Sequence, residues 1–146
     1  KKIKDTKNIS TTLELVETIK SAVGANYFYK NHPERKIFQA LRIKVNNELK
    51  VLENVLPDAI NLLKPGGRLA IITFHSLEDR IVKNIFKKYS EVDAIIKGLV
   101  EIPDKYKPLI KIINRKVIIP TDKELEENSR SKSAKLRIVE RIWKYG

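Results

Sequence analysis

The sequence predicts an α/β fold, because a helical pattern, a tight turn, a buried strand and a second helical pattern follow one another along the chain. Apolar residues recur every three or four positions between residues 34 and 63. A turn at 64–67 precedes a nearly continuous apolar run at 68–74, rich in β-branched residues and typical of a buried parallel strand. A second amphipathic pattern begins at Ser76. This order of elements is half of a doubly wound sheet.

The amino-terminal part of the chain is predicted to contain a short amphipathic helix. Thr11 and Glu14 form a capping-box pattern ahead of it, and Gly24 ends it. Residues 25–33 are predicted to be an aromatic, basic connector whose rings could stack on bases. Packing between helices is the favoured interpretation for at least two of its three neighbouring aromatic residues, Tyr27, Phe28 and Tyr29.

The helix predicted over residues 34–63 has two distinct faces. One face is apolar, and Pro57 is predicted to kink or restart the helix. The opposite face of its first half is mostly basic, which suits a phosphate backbone, although a solvated charged face would have the same composition. The residues of this face are Arg35, Lys36, Gln39, Arg42 and Lys44.

Polar residues follow the predicted strand, at the end where doubly wound sheets bind their ligands. His75, Ser76 and Glu78 would lie there with the free amides of the helix start. For each residue a structural role is also open: Ser76 as the helix cap, Asp79 as a complement to the helix dipole, and His75 as a hydrogen-bonded strand end. For His75 the functional interpretation is slightly favoured.

The carboxyl-terminal part is predicted to form an antiparallel strand pair. Residues 110–119 and 134–142 have the alternation of strands, and residues 121–124 start a short acidic helix between them. The loop at 129–133, rich in serine and basic residues, could bind phosphate or could simply be solvated.

Composition limits the classes of function. The chain has 146 residues, a single domain's worth, and no apolar run near the roughly 20 residues that span a bilayer. The absence of cysteine excludes disulfides and thiolate metal sites and predicts a reducing, cytoplasmic setting. His32 and His75 are too far apart for a helical metal-binding pair, so no metal site is predicted.

The charge of the chain is strongly positive. Thirty Lys and Arg against eighteen Asp and Glu give a formal net charge of +12, which makes nucleic acid the first partner to consider. On charge alone, a lysine-rich surface without such a partner is an equal alternative. The five glycines form no complete nucleotide-binding loop. Because the chain starts at Lys1 and lacks methionine, we expect it to be part of a longer protein.

Three blocks of the sequence resemble one enzyme family. They are residues 32–49 (HPERKIFQALRIKVNNEL), 65–83 (PGGRLAIITFHSLEDRIVK) and 131–137 (SKSAKLR). In this order they closely resemble the bacterial 16S ribosomal RNA cytosine-N4 methyltransferases, the MraW/RsmH family. The resemblance extends over almost the whole chain, from about Ile9 onwards.

The resemblance implies a fold and a cofactor. It implies a partial class I, Rossmann-like methyltransferase sheet that uses S-adenosylmethionine, with part of an inserted helical domain. Residues 1–46 would be the second half of that substrate-recognition domain, and residues 47–146 would be the C-terminal part of the core with its last three strands. The family's glycine-rich cofactor loop lies upstream, so no cofactor-binding residue is assigned and this chain alone is expected to be inactive.

The chemistry of cytosine methylation suggests roles for particular residues. The exocyclic amine is a poor nucleophile that must be oriented and deprotonated, which a carboxylate, carbonyl or histidine can do. We assign the segment from Phe74 to Asp79 to the wall of the active site. Within it, His75, Ser76 and Glu78 are assigned to catalysis and Phe74 to substrate binding. The rim that grips the RNA backbone is assigned to Arg35, Lys36, Arg42, Arg130 and Lys132. A zinc-dependent cytosine deaminase is excluded by the lack of cysteine.

Two function classes stay open after this comparison. The chain is either the C-terminal portion of an RNA methyltransferase acting on 16S ribosomal RNA of the small ribosomal subunit, or a basic RNA-binding module without catalysis. Half of a sheet would leave an open strand edge and an uncovered apolar face. A homodimer formed by edge pairing, or aggregation, is therefore expected of the isolated chain.

Overall fold

The computed structural model describes residues 8–92, 96, 101–103 and 106–142. The chain divides into two compact units, Lys1–Glu48 and Leu49–Gly146, and each is described by itself. None of the helices in the described part of the chain is both long enough and apolar enough to cross a membrane.

The first unit contains three helices: α1 (Thr12–Val23), α2 (Ala25–Asn31) and α3 (Pro33–Asn46). The predicted capping box of α1 is confirmed, because the Thr11 hydroxyl accepts from Glu14 N while the Glu14 carboxylate accepts from Thr11 N. The prediction of a connector at 25–33 is wrong, since most of that segment is α2. Gly24 (φ 83°) and His32 (φ 46°) have positive φ values and separate the three helices.

The core of the first unit lies between α1 and α2. Leu15, Ile19 and Phe28 are its buried residues. Tyr27 and Tyr29 are 54% and 61% exposed, so the prediction that at least two of the three aromatics pack is wrong. The physical reason is that these three residues lie in helix α2, where adjacent side chains point to different sides. Of the three, only Phe28 is buried against α1.

Asn47 interrupts the helix that the sequence predicts over residues 34–63. Its φ of 51° is left-handed, a conformation that asparagine tolerates better than most residues. A new helix, α4 (Glu48–Leu62), follows. Pro57 lies inside α4, so the predicted restart at this residue is wrong. Pro57 has no backbone N–H, so α4 lacks one backbone hydrogen bond at this residue but continues beyond it.

The second unit contains a three-stranded sheet of β1 (Arg68–Thr73), β2 (Ile110–Ile112) and β3 (Lys135–Arg141). The strand order is β1-β3-β2, and β3 is antiparallel to both neighbours. β1 and β2 therefore run in the same direction. This confirms the α/β class and the antiparallel pairing of the last two strands.

Helical segments connect the strands of the second unit. Helix α5 (Ser76–Ser90) follows β1, while α6 (Asp122–Glu127) and a 3₁₀-helix (Ser129–Ser133) lie between β2 and β3. Thr121 caps α6 as predicted, because its hydroxyl accepts from Glu124 N. The segment predicted as a loop at 129–133 is the 3₁₀-helix, in which the Ser131 hydroxyl donates to Asn128 O at 2.8 Å.

One face of the sheet packs against α4 and α5. Its buried residues are Leu56, Ile60, Val82, Phe86, Leu109, Ile110 and Val139. The buried Arg141 guanidinium adds a polar link, donating from Nη1 to Ile60 O at 3.0 Å. The opposite face is open along β1, where Ile72 is 58% exposed. The prediction of a buried parallel strand is therefore wrong for the described residues, because they cover one face of β1 only and its partner β3 is antiparallel.

β2 is shorter than the strand predicted over residues 110–119, because Asn114 interrupts it. The Asn114 amide nitrogen donates to the carbonyls of Lys116 and Leu136, and its amide oxygen accepts from Ile138 N at 2.6 Å. The side chain thus replaces ladder hydrogen bonds that the backbone does not make. Pairing with β3 resumes at an isolated bridge between Ile118 and Leu136.

Candidate active site at the end of the first strand

The sheet topology gathers three chain segments at one edge. β1 and β2 both end there, and β3 begins there, because β3 is antiparallel to both. Thr73 is the register partner of Lys135, so the segment after β1 lies beside the segment before β3. Residues 74–79 and the 3₁₀-helix therefore share this edge, where the sequence analysis predicts a ligand site.

His75 and Glu78 fix the start of α5 through reciprocal hydrogen bonds. His75 is the N-cap residue, and its Nδ1 accepts from Glu78 N at 3.3 Å. Glu78 Oε2 accepts from Phe74 N at 2.9 Å and from His75 N at 3.3 Å. The prediction that Ser76 caps this helix is wrong. Ser76 is the first helical residue and is exposed.

The remaining ring nitrogen of His75 faces Glu78. Since Nδ1 accepts a hydrogen bond, the neutral ring carries its proton on Nε2. Nε2 is buried and lies 3.2 Å from Glu78 Oε1, but the atoms are not aligned for a hydrogen bond. Glu78 therefore has one oxygen occupied by backbone amides and a second oxygen that is close to the imidazole. This second oxygen is the better placed of the two to accept a proton from a ligand.

A pair of charged residues ties the first turn of α5 to β3. Arg137 Nε donates to Asp79 Oδ1 at 2.7 Å and Nη2 donates to Oδ2 at 3.2 Å, while Lys135 Nζ lies 3.7 Å from Oδ2. The Arg137 hydrogen bonds lower the pKa of Asp79 below its ordinary value, against the opposing effect of its partial burial. At the end of β1, the Thr73 hydroxyl donates to Lys135 O at 3.4 Å.

Sequence reasoning did not assign Arg137 or Lys135 to the site. One signal was available for Arg137, because it lies two residues before the buried Val139 and so belongs to the covered face of β3. A charged residue at a covered position needs a partner. From the sequence, Asp79 was considered for the active-site wall and for the helix dipole, but was not paired with a cation.

The predicted substrate-binding residues of the second unit lie at the same edge of the sheet. Phe74 is 56% exposed immediately after β1. Arg130 and Lys132 are exposed on the 3₁₀-helix, on either side of the buried Ser131. The structure therefore places an exposed aromatic ring and two cations at the edge of the sheet from which α5 begins.

The predicted rim residues of the first unit lie on α3. Arg35 and Lys36 are exposed near the start of that helix. Arg42 forms two hydrogen bonds with the Glu48 carboxylate, at 2.9 and 3.1 Å. Arg42 would have to share or release this partner in order to bind a phosphate.

The described glycines do not fit a cradle for an adenosyl cofactor. Gly66, with φ of 81°, and Gly67 form the turn before β1, at the edge opposite to His75. An added Cβ on Gly67 would lie 2.9 Å from Lys64 O, so its glycine is required by the turn itself. Gly24 separates two helices of the first unit.

The chain also matches a known family. The model of the MraW methylase family matches residues 1–142, which is nearly the whole chain. This match confirms the family resemblance drawn from the three sequence blocks. The chain belongs to the MraW methylase family, a family of methyltransferases.

Proposed function

We propose that this chain is the C-terminal portion of an S-adenosylmethionine-dependent enzyme that methylates N4 of a cytidine in 16S ribosomal RNA. The family match supports methyl transfer, and the net charge of +12 supports an RNA substrate. The enzyme would act in the cytoplasm on RNA of the small ribosomal subunit, during ribosome biogenesis. Residues 1–46 would contribute to substrate recognition, and residues 47–146 would contribute to the methyltransferase core.

The strand order supports a class I, Rossmann-like sheet as the origin of the second unit. β1 and β2 run in the same direction with α5 between them in the sequence, as in the parallel strands of doubly wound folds. β3 is inserted between them in the opposite direction. The family resemblance implies that these are the last three strands of the methyltransferase sheet, one of which is antiparallel.

The observation that carries the proposed chemistry is the second carboxylate oxygen of Glu78, Oε1, which accepts no hydrogen bond from the backbone of the described residues. Methylation forms a bond between N4 and the methyl carbon, breaks the bond between that carbon and the cofactor sulfur, and removes one proton from N4. The amine is a weak nucleophile because its lone pair is delocalised into the ring, so an oriented proton acceptor assists the reaction. Glu78 Oε1 lies at the edge of the sheet where β1 and β2 end. The other carboxylate oxygen of Glu78, Oε2, accepts hydrogen bonds from two backbone amides.

The neighbouring residues would orient the base. His75 Nε2 lies 3.2 Å from Glu78 Oε1 and so restricts the positions that this carboxylate oxygen can take. The exposed Phe74 ring offers a surface on which an unstacked cytosine can lie. Ser76 is exposed beside them and could hydrogen-bond the base or its ribose. Because the described residues do not fit a cofactor cradle, we assign no residue of this chain to the methyl donor.

Glu78→Gln and His75→Asn test the catalytic roles in the complete enzyme, because both replacements keep the helix capped. Glutamine can still accept from backbone amides, and asparagine is a good N-cap residue. We expect kcat for methyl transfer to fall by about 10²-fold or more for Glu78→Gln, since a general base is lost. RNA affinity should change little. The measurement is transfer of a labelled methyl group to small-subunit RNA.

The capping box of α1 provides the matched control for this experiment. Glu14 accepts from Ser10 N at 2.7 Å and from Thr11 N at 3.3 Å, as Glu78 does from its own neighbours. Glu14→Gln should therefore leave kcat unchanged. Full turnover in Glu78→Gln, or an equal loss in Glu14→Gln, would show that Glu78 only caps its helix.

The second candidate function is a basic RNA-binding module without catalysis. The misfit of the described glycines to a cofactor cradle favours it for this chain taken alone. This function predicts RNA binding that weakens steeply with salt and no heat of binding for S-adenosylmethionine in calorimetry. Tight binding of the cofactor by this chain would exclude it.

The open edge of β1 supports self-association of the chain. Among the described residues β1 pairs with β3 alone, and the edge strand carries the exposed Ile72. Unpaired edges of this kind pair with other chains. We expect light scattering to show dimers or larger species at micromolar concentration, whereas a stable monomer would contradict this expectation. Ile72→Lys, which adds a charge next to the edge, should reduce the association.

A further inference from the structure

Helix α5 presents an exposed face that is basic and free of carboxylates. The residues of this face, called the α5 outer face below, are Arg80, Lys83, Asn84, Lys87 and Lys88, all exposed. The two acidic residues of the helix, Glu78 and Asp79, lie in its first turn and already have partners. The opposite side of α5 carries Val82 and Phe86, which are buried in the core. The orientation of the outer face is therefore fixed.

The cations of the α5 outer face differ from the basic residues of the described chain that form ion pairs. Arg42, Arg68, Lys111 and Arg137 each contact a carboxylate at 2.6 to 2.9 Å. Within the part of the chain that the structure describes, the four cations of the α5 outer face lie within ion-pair distance of no carboxylate. Their positive field is thus uncompensated locally, over a helix length of about 12 Å.

A groove adjoins this face. It lies between α4 and α5 and has a volume of about 290 Å³. Asn84 and Lys88 belong both to the groove and to the α5 outer face. The apolar lining comes from Pro57, Ile81 and Ile85, with Tyr89 beside them. Glu53 adds one carboxylate at the groove, where it lies 3.9 Å from Lys50.

This combination matches the requirements of single-stranded RNA. Cations in a row bind successive phosphates, and a neighbouring slot with apolar and aromatic walls accepts an unstacked base. A duplex keeps its bases stacked and would use the cations alone. An acidic peptide would also bind the cations, so its competition with RNA is one outcome of the test.

We infer that the α5 outer face and the α4–α5 groove form a second binding site for single-stranded RNA, apart from the edge that holds Phe74 and Glu78. The site rests on the proposed action on RNA and extends it to residues to which the sequence analysis gives no role in binding. Lys87 lies about 16 Å along α5 from Ser76. The site therefore binds a stretch of RNA a short distance from the target nucleotide.

The test compares two variants of the full chain that carry equal charge. Lys83→Gln/Lys87→Gln removes two cations of the α5 outer face. Lys20→Gln/Lys123→Gln removes two cations elsewhere, which lie 3.9 and 4.0 Å from Glu17 and Glu127. Binding of a fluorescent, unstructured RNA 12-mer is measured by anisotropy from low to high salt. Circular dichroism confirms that both variants stay folded.

The slope of log affinity against log salt is the decisive quantity. For Lys83→Gln/Lys87→Gln we expect it to become shallower by about 1.4, because each phosphate contact to a single strand contributes about 0.7. The control pair should leave the slope near that of the unaltered chain. Equal slopes for the two variants would overturn the site and assign binding to the general charge of the chain.

Three further probes test the groove and the proposed function separately. A 12-mer without bases and the duplex of the same sequence should both bind more weakly than the single strand. Equal affinity for the strand without bases would overturn the role of the groove. Polyglutamate that competes as well as RNA would identify an acidic protein as the partner instead. If the unaltered chain does not bind RNA, the proposed function itself is overturned. If it binds RNA but the two double variants have the same salt slope, only this second site is overturned.

Discussion

Arg137→Gln is expected to lower the free energy of unfolding of the second unit by about 3 kcal/mol, because it leaves the Asp79 carboxylate without its main partner. The two side chains are only 16% and 13% exposed, so water replaces the lost hydrogen bonds poorly. Lys135 Nζ lies 3.7 Å from Asp79 Oδ2 and still attracts the carboxylate after the replacement. The expected loss of unfolding free energy is therefore at the lower end of the range for buried ion pairs. Urea denaturation followed by circular dichroism measures the change.

Arg68→Gln is the control for this replacement. Arg68 also donates to a carboxylate across β1 and β3, that of Glu140, but its side chain is 63% exposed. Glu140 keeps Lys111 as a second partner at 2.6 Å. The expected loss is below about 1 kcal/mol. Equal losses for Arg68→Gln and Arg137→Gln would contradict the view that burial makes the Asp79 pair the stronger one.

The contribution of the Asp79 pair should also depend on pH. The pKa of Asp79 is lowered in the folded state from its ordinary value of 3.8, so folding favours the ionised carboxyl. The stabilisation is then fully present above about pH 5 and is lost as the pH falls through the ordinary pKa and then the folded pKa. The difference in unfolding free energy between the unaltered chain and Asp79→Asn should shrink over this acidic range. A difference that stays constant down to pH 2 would contradict the ion pair.

Phe86→Ala is expected to destabilise the second unit by about 3–5 kcal/mol. The Phe86 side chain is 1% exposed and lies among Ile60, Val82 and Val139, so its removal leaves a cavity in the core. Phe74→Ala removes the same group from a site that is 56% exposed and should change stability by less than about 0.5 kcal/mol. Thermal or urea unfolding distinguishes the two.

The same two variants should separate folding from function. In the complete enzyme, Phe74→Ala is expected to lower methyl transfer to RNA while the protein stays folded, because the ring is proposed to receive the base. A stable Phe74→Ala variant with full turnover would remove Phe74 from the site. A Phe86→Ala variant as stable as the unaltered chain would show that the core can collapse around the missing ring.

The first strand and several helix starts were predictable because local patterns specify them. The apolar run at 68–74 has few alternatives to a strand, and the capping patterns at Thr11 and Thr121 locate helix starts by direct hydrogen bonding. The antiparallel pairing of the last two strands followed from their alternation. His75 and Glu78 could be placed at the end of β1 because the helix pattern begins directly after it.

Other features depend on contacts that local patterns do not contain. The left-handed backbone of Asn47 ends α3, although the apolar periodicity of the sequence continues through this position. Pro57 was the more obvious place in the sequence for the helix to break. Asn114 shortens β2 through hydrogen bonds to residues more than 20 positions away. Arg137 meets Asp79 across 58 positions. Pairings at such distances depend on the register of β3, which periodicity alone does not give.

The position of β3 has a consequence for how the protein is made. β3 lies between two strands that the ribosome synthesises earlier, so neither β1 nor β2 has this partner until residues 135–141 have emerged. Pairing Arg68 with Glu140 closes a loop of about 70 residues, a non-local contact of the kind that slows folding. Thr73 and Asp79 also take their partners from β3. The candidate site is therefore completed among the last steps of folding, and a nascent chain that stops before Lys135 would expose two unpaired strands to the cell's quality control.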